Sequence, residues 1–122
     1  MEYDKNNIFA KILRGEIPCK KIYENEYILS FYDINPQRKI HALVIPKGEY
    51  IDLDDFSSKA SEKEIIELIK GVSLIAKKLG ISLSDNGKGY RSLVNIGEHG
   101  GQEVPHLHFL LFGGEKVGKM VS

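Results

Sequence analysis

The run His106-Leu107-His108-Phe109-Leu110-Leu111-Phe112-Gly113-Gly114 reads as a strand from His106 to Phe112, stopped by two glycines. Successive side chains of a strand point to opposite faces, so Leu107, Phe109 and Leu111 can anchor one face in a core. His106, His108, Leu110 and Phe112 share the other face, with the two imidazoles roughly 6.5 to 7 Å apart at their backbones. Upstream, Gly97 to Gly101 is a glycine-bearing loop, Tyr90 to Asn95 a strand and Asn86 to Gly89 a turn. Before them Ser61-x-x-Glu64 forms a capping box, serine and glutamate each satisfying a free amide of the helix start. Ile65, Leu68, Ile69, Val72, Ile75, Ala76 and Leu79 follow as one apolar stripe that Gly80 ends.

Further out, Ile40 to Pro46 carries the unbroken series Ala42-Leu43-Val44-Ile45, as a strand buried on both faces would. Ile22 to Glu24 and Tyr27 to Asp33 are two more strands around a turn at Asn25-Glu26, and Asn35-Pro36 ends the second. Ile8, Phe9, Ile12 and Leu13 recur at helical spacing between a cap at Asn7 and a stop at Gly15. The segment Lys47 to Lys59 reads as acidic and irregular. The predicted order is helix, three strands, long helix, two strands. Short strands joined by tight turns favour an antiparallel sheet of about five strands with two helices on one side, an α+β fold.

The chain has 122 residues with 17 Lys plus Arg against 17 Asp plus Glu, so its formal charge is zero. This length predicts one domain over residues 1–122, burying roughly two thirds of the surface that the open chain exposes. Apolar residues at 42% and charged residues at 28% exclude collagen-like and acidic disordered classes. Charge neutrality argues against nucleic acid as a partner, since nonspecific affinity for it needs excess Lys and Arg. Cys19 is the only cysteine, which excludes an intramolecular disulfide and any CxxC metal site. The polar start, Met1 to Asn7, lacks a signal-peptide core, and no stretch approaches the roughly 20 apolar residues of a membrane helix. The expected location is cytoplasmic. The tail from Glu115 to Ser122 carries no motif that assigns it a role.

A His-x-His pair has several uses. It can be polar filling, or it can bind zinc if a third ligand joins it, and His41 is the only other suitable histidine, His99 lying in a loop. It can also serve phosphorus chemistry: a neutral imidazole attacks phosphorus while amides of a glycine turn such as Gly100-Gly101-Gln102 hold the charged oxygens. Neither GxGxxG nor the P-loop pattern is present.

The longer run Gly100-Gly101-Gln102-Glu103-Val104-Pro105 continuing through His106 to Gly114 resembles the histidine triad (HIT) signature, His-φ-His-φ-His-φ-φ. It is most similar to the Hint branch, the histidine triad nucleotide-binding proteins, in its bacterial form. Asn7-Ile8-Phe9-Ala10-Lys11-Ile12, Gly15-Glu16-Ile17-Pro18, Phe31-Tyr32-Asp33-Ile34-Asn35-Pro36, His41-Ala42-Leu43-Val44-Ile45-Pro46-Lys47 and Tyr90-Arg91-Ser92-Leu93-Val94-Asn95 look like further family blocks in family order. The resemblance covers Asn7 to Gly114. It implies the HIT-like fold, a homodimer whose sheets join across the subunit boundary, a purine nucleotide ligand such as AMP, and no cofactor. Some members of the branch hold zinc through N-terminal cysteines, but Asp4 to Lys11 contains none, so no metal is expected.

The activity implied is hydrolysis of nucleoside phosphoramidates or acyl-nucleotides through a nucleotidyl-histidine intermediate. By motif position, His108 is the nucleophile and His106 supports it, with a backbone carbonyl able to fix the His108 tautomer. His41 is implied to stand behind them as a hydrogen-bonding partner. Asp33 is implied to bind ribose hydroxyls, and Ile8, Phe9, Ile12, Phe31 and Ile34 to surround base and sugar. Asn95, Gly101, Gln102 and Val104 are implied along the phosphate. The third triad position is Leu110, where the family has histidine. Leucine can donate neither a proton nor a hydrogen bond, so the expectation is an enzyme weakened at this step. The competing reading is a nucleotide-binding regulatory dimer with little turnover.

Overall fold

The structure is a computed structural model and describes residues 1–120; Val121 and Ser122, the end of the tail, lie outside the described residues. Its elements are α1 (Ile8–Leu13), β1 (Lys21–Glu24), β2 (Ile28–Tyr32), β3 (Ile40–Pro46), α2 (Leu53–Lys59), α3 (Glu62–Lys78), β4 (Arg91–Leu93) and β5 (Phe109–Gly113), with a short 3-10 turn at Leu83–Asp85. The strands form one antiparallel sheet in the order β1-β2-β3-β5-β4, an α+β architecture. No helix among the described residues is long and apolar enough to cross a membrane.

The long helix follows its sequence signals. Ser61 Oγ accepts from the Glu64 amide, and the Glu64 carboxylate accepts from the Ser61 amide, which closes the predicted capping box. Leu68, Val72, Ile75 and Ala76 of α3 pack with Ile28, Ala42, Val44, Leu107 and Leu111. At Gly71 helix and sheet approach closely: a Cβ there would lie 2.4 Å from Ile28 Cδ1. The opposite face of the sheet offers Leu29, Phe31, Leu43 and Ile45, and α1 covers it with Phe9.

Three expectations change. The helices lie on both faces of the sheet, not one, because the apolar residues of α1 reach Phe31 while those of α3 reach Val44. The described residues hold three α-helices, since Leu53–Lys59 is helical: the Asp52 side chain caps it and Phe56 anchors it in the core. Finally, β5 begins at Phe109, not His106. Its pairing with β3 ends at Val44 opposite Phe109, and β3 ends at Pro46.

Candidate functional site

Although His106 to His108 lie before the paired strand, their alternation persists. Leu107 enters the core beneath α3, and both imidazoles are buried on the face covered by α1. Other bonds replace the missing ladder. The Leu107 amide donates to the Tyr50 carbonyl at 2.9 Å, and the Tyr50 hydroxyl donates to Glu64 in the α3 cap. The histidine segment is therefore tied to the most regular element of the fold.

The hydrogen bonds assign the tautomer of each ring. His106 Nε2 lies 2.8 Å from the Pro46 carbonyl, which can only accept, so Nε2 carries the proton. His106 is fully buried, and burial pushes its pKa down to about 4. His108 Nδ1 lies 2.8 Å from the His106 carbonyl, so Nδ1 carries the His108 proton and Nε2 keeps its lone pair. Burial also lowers the His108 pKa, against the opposing pull of its bond to His106 and of the Asp33 and Glu103 charges. The result is a neutral imidazole with one bare nitrogen. The Phe9 ring stands edge-on to His108 at 4.9 Å and touches Phe31 at 5.7 Å.

On the same side of the sheet lies a cleft of about 640 Å³, whose walls bring together Ile8, Ile12, Phe31, Asp33, Ile34 and His41 but include neither His106 nor His108. Ile34 is 84% exposed at its rim, whereas Phe9 is buried behind it. Cys19 also lines the cleft, its thiol pKa raised by burial, the opposite of an activated nucleophile. His41 makes no hydrogen bond to His106 or His108. Its Nδ1 accepts from the Gln37 amide at 3.2 Å, which leaves the proton of the neutral ring on Nε2. Burial lowers the His41 pKa against the pull of Asp33. His41 Nε2 points toward Asp33 Oδ2 at 3.4 Å yet has no hydrogen-bond partner among the described residues. A buried donor without a partner beside a carboxylate is a place for a hydroxyl, which can accept from one and donate to the other.

The residues expected along a phosphate lie apart from the cleft walls. The Gly101 and Gln102 amides donate to the Glu98 and Gly97 carbonyls inside their own turn. The Gln102 side chain bridges the Ile51 and Val104 carbonyls and accepts from the Gly97 amide, so it acts as a brace for this loop. Val104 packs against the Phe9 cluster, and Asn95 lies half-buried two residues beyond β4. Leu110 faces the same side as His108 and pairs in register with Leu43 and Leu93. Among the described residues, no three His, Cys, Asp or Glu side chains gather to hold a metal. Two contributors carried no signal in the sequence: the Pro46 carbonyl, and Tyr3, whose hydroxyl reaches His106 Nδ1 at 2.6 Å.

A five-stranded antiparallel sheet with a buried His-x-His at the entry to β5 defines a class, and comparison with known proteins gives its name. Residues 14–117 match the HIT domain family, and the chain belongs to that family. It is 53% identical over 120 residues to a HIT-like protein of Azospirillum brasilense, covering 98% of this chain and 95% of that one. It is 36% identical over 118 residues to the purine nucleoside phosphoramidase of Escherichia coli, covering 97% and 95%. A HIT family hydrolase from Clostridium thermocellum superposes with a TM-score of 0.81 at 34% identity, covering 98% of this chain and 99% of that one.

Proposed function

We propose that this protein binds a purine nucleotide and hydrolyses nucleoside phosphoramidates or acyl-nucleotides through a covalent intermediate on His108. The observation that carries this reading is the tautomer of His108, whose Nδ1–H donates to the His106 carbonyl and leaves Nε2 bare. The 36% identity to a purine nucleoside phosphoramidase supports the substrate class. In the first step the Nε2 lone pair attacks the α-phosphorus, and the bond from phosphorus to the amine nitrogen or acyl oxygen breaks with its electron pair leaving on that atom. In the second, water attacks the same phosphorus and gives up one proton to solvent, the bond to Nε2 breaks, and AMP departs as the imidazole regains its lone pair. Leu110 supplies no proton to the leaving group. An amine therefore departs with a proton from solvent, while a carboxylate needs none.

The cleft serves the nucleoside. Ile8, Ile12, Phe31 and Ile34 flank the base and sugar, and a ribose hydroxyl fits between His41 Nε2 and Asp33 Oδ2. His41 thus acts on the ribose in this reading and not on the other imidazoles. The protein acts as a single domain and pairs with a second copy of itself through the sheet.

Leu110 favours a second reading, a nucleotide-binding regulatory dimer with little turnover. One experiment separates them: mixing the protein with an adenosine phosphoramidate or aminoacyl-adenylate and measuring AMP release and intact mass. The expected outcome is AMP together with a nucleotidyl adduct, both reduced to background by His108→Ala. AMP binding without product or adduct would establish the regulatory reading.

A further inference from the structure

Tyr3 lies 103 residues before His106 and outside the span that matches the family, yet its hydroxyl is 2.6 Å from His106 Nδ1. The direction of that bond follows from the other side of the ring. His106 Nε2 donates to the Pro46 carbonyl, so Nδ1 of the neutral ring is bare and the Tyr3 hydroxyl must donate to it. The two rings also meet edge to face, with centroids 5.7 Å apart and planes at 71°. Both ends of the His106 imidazole are thereby held, one by the end of β3 and one by the N-terminal segment.

Tyr3 sits beside an anchored turn. The Asp4 carbonyl accepts from the Asn7 amide and from Asn7 Nδ2, the Asp4 carboxylate accepts from the Asn6 amide, and Arg14 Nη1 donates to the Lys5 carbonyl. Asn7 caps α1, and two residues later Phe9 stands edge-on to both His106, at 6.3 Å, and His108. One stretch, residues 3–9, therefore backs both imidazoles.

We propose that Tyr3 is a positioning residue for His108: by donating to His106 Nδ1 it fixes the His106 residue whose carbonyl selects the His108 tautomer. The inference rests on the reading of His108 as nucleophile for its kinetic consequence only. The link from Tyr3 to His108 is a statement about ring protons and can be read without turnover.

The test uses the full chain with histidine ring nitrogens labelled, as the unaltered protein and as Tyr3→Phe, which keeps the aromatic ring and removes the donor. In the unaltered protein the Tyr3 hydroxyl proton is expected to couple to His106 Nδ1, and His108 to show Nδ1–H alone; a missing coupling overturns the proposal. In Tyr3→Phe, His108 is expected to become a mixture of tautomers. Transfer of the nucleotidyl group to His108 in a single turnover should slow roughly tenfold, as misaimed reacting groups do, with AMP affinity held within about twofold. A Tyr3→Phe protein that unfolds more readily but keeps a pure Nδ1–H tautomer has lost only a structural contact, and the proposal falls. If the unaltered protein forms no adduct at all, the nucleophile reading fails on its own, and the ring nitrogens still decide for or against Tyr3.

Discussion

The two faces of the sheet are built from the same strands and serve opposite ends. On one, Ile28, Ala42, Val44, Leu107 and Leu111 meet the apolar stripe of a 17-residue helix, and the fully buried Ser30, opposite Val44, spends its hydroxyl on the Leu43 carbonyl. On the other, the intervening residues of those strands meet a helix of six residues, too short to cover them. What it leaves open is the cleft, and what lines that face includes His41, His106 and His108. A long amphipathic helix closes one face because burial is worth about 25 cal/mol per Å² of apolar surface. A short one leaves the other face incomplete, which is what a binding site requires. Alternation along a strand thus separates stability from chemistry residue by residue.

The sharpest way to break this division is to damage the closed face alone. Leu68 of α3 is fully buried and belongs to the cluster between α3 and the sheet, not to the one under α1. Leu68→Ala should cost about 3 to 5 kcal/mol of unfolding free energy, the usual loss for a leucine cavity in a core. Urea unfolding measures it, while AMP affinity at low temperature should stay unchanged. A parallel loss of affinity in the folded variant would mean that the two faces are not independent.

The same division explains what could be read from the sequence. The closed face was legible because its signals are local: the capping box at Ser61 and Glu64, the stripe from Ile65 to Leu79, the apolar series in β3. Helix α2 was not, since Leu53–Lys59 is short, starts acidic and buries only Phe56, which gives no period to detect. On the open face, alternation placed His106 and His108 on one side correctly but extended β5 too far. The backbone and ring of the histidine segment bond to Pro46, Tyr50 and Tyr3, distant partners that spacing does not reveal. The cleft residues were named through resemblance, and their periodicity alone would have made them core. His41 illustrates the limit: the resemblance implied a hydrogen-bonding partner behind the other imidazoles, whereas its neighbours are Gln37, Asp33 and Phe112.

Acid should expose the open face next. His106 titrates near 6.5 when unfolded and about 4 when folded. Between those values the unfolded chain binds the extra proton, so unfolding free energy falls as pH drops from 6.5 toward 4. The full loss from this one ring is about 3 kcal/mol. His41 and His108 are shifted in the same direction by burial and add to the slope with the same sign. Carboxylates held low by cationic partners, such as Glu24 at about 2, lose their contribution only below the ordinary carboxylate range. The interval from pH 6.5 to 5 therefore isolates the histidines. Urea titrations across it should show a steady decline that His106→Gln reduces. A flat profile would mean that the imidazoles are hydrated and that this face is not the dry one described above.

The smallest effect expected sits where the open face borrows the chemistry of the closed one. Leu110 lies on the same face as His108 but is half-buried against the apolar cluster of that face, across from Leu43 and Leu93. In the proposed reaction its side chain denies the leaving group a donor. Leu110→His should raise the rate of AMP release severalfold for an amine leaving group, well short of the roughly 10²- to 10⁴-fold that a well-positioned general acid supplies. The leucine-lined surroundings would hold the new imidazole neutral and oriented by chance. For an acyl leaving group, which departs without a proton, the gain should be smaller still. Comparing the two substrates in the one variant therefore measures proton donation directly. Equal rates before and after the change for both would place position 110 outside the reaction and return Leu110 to the core it resembles.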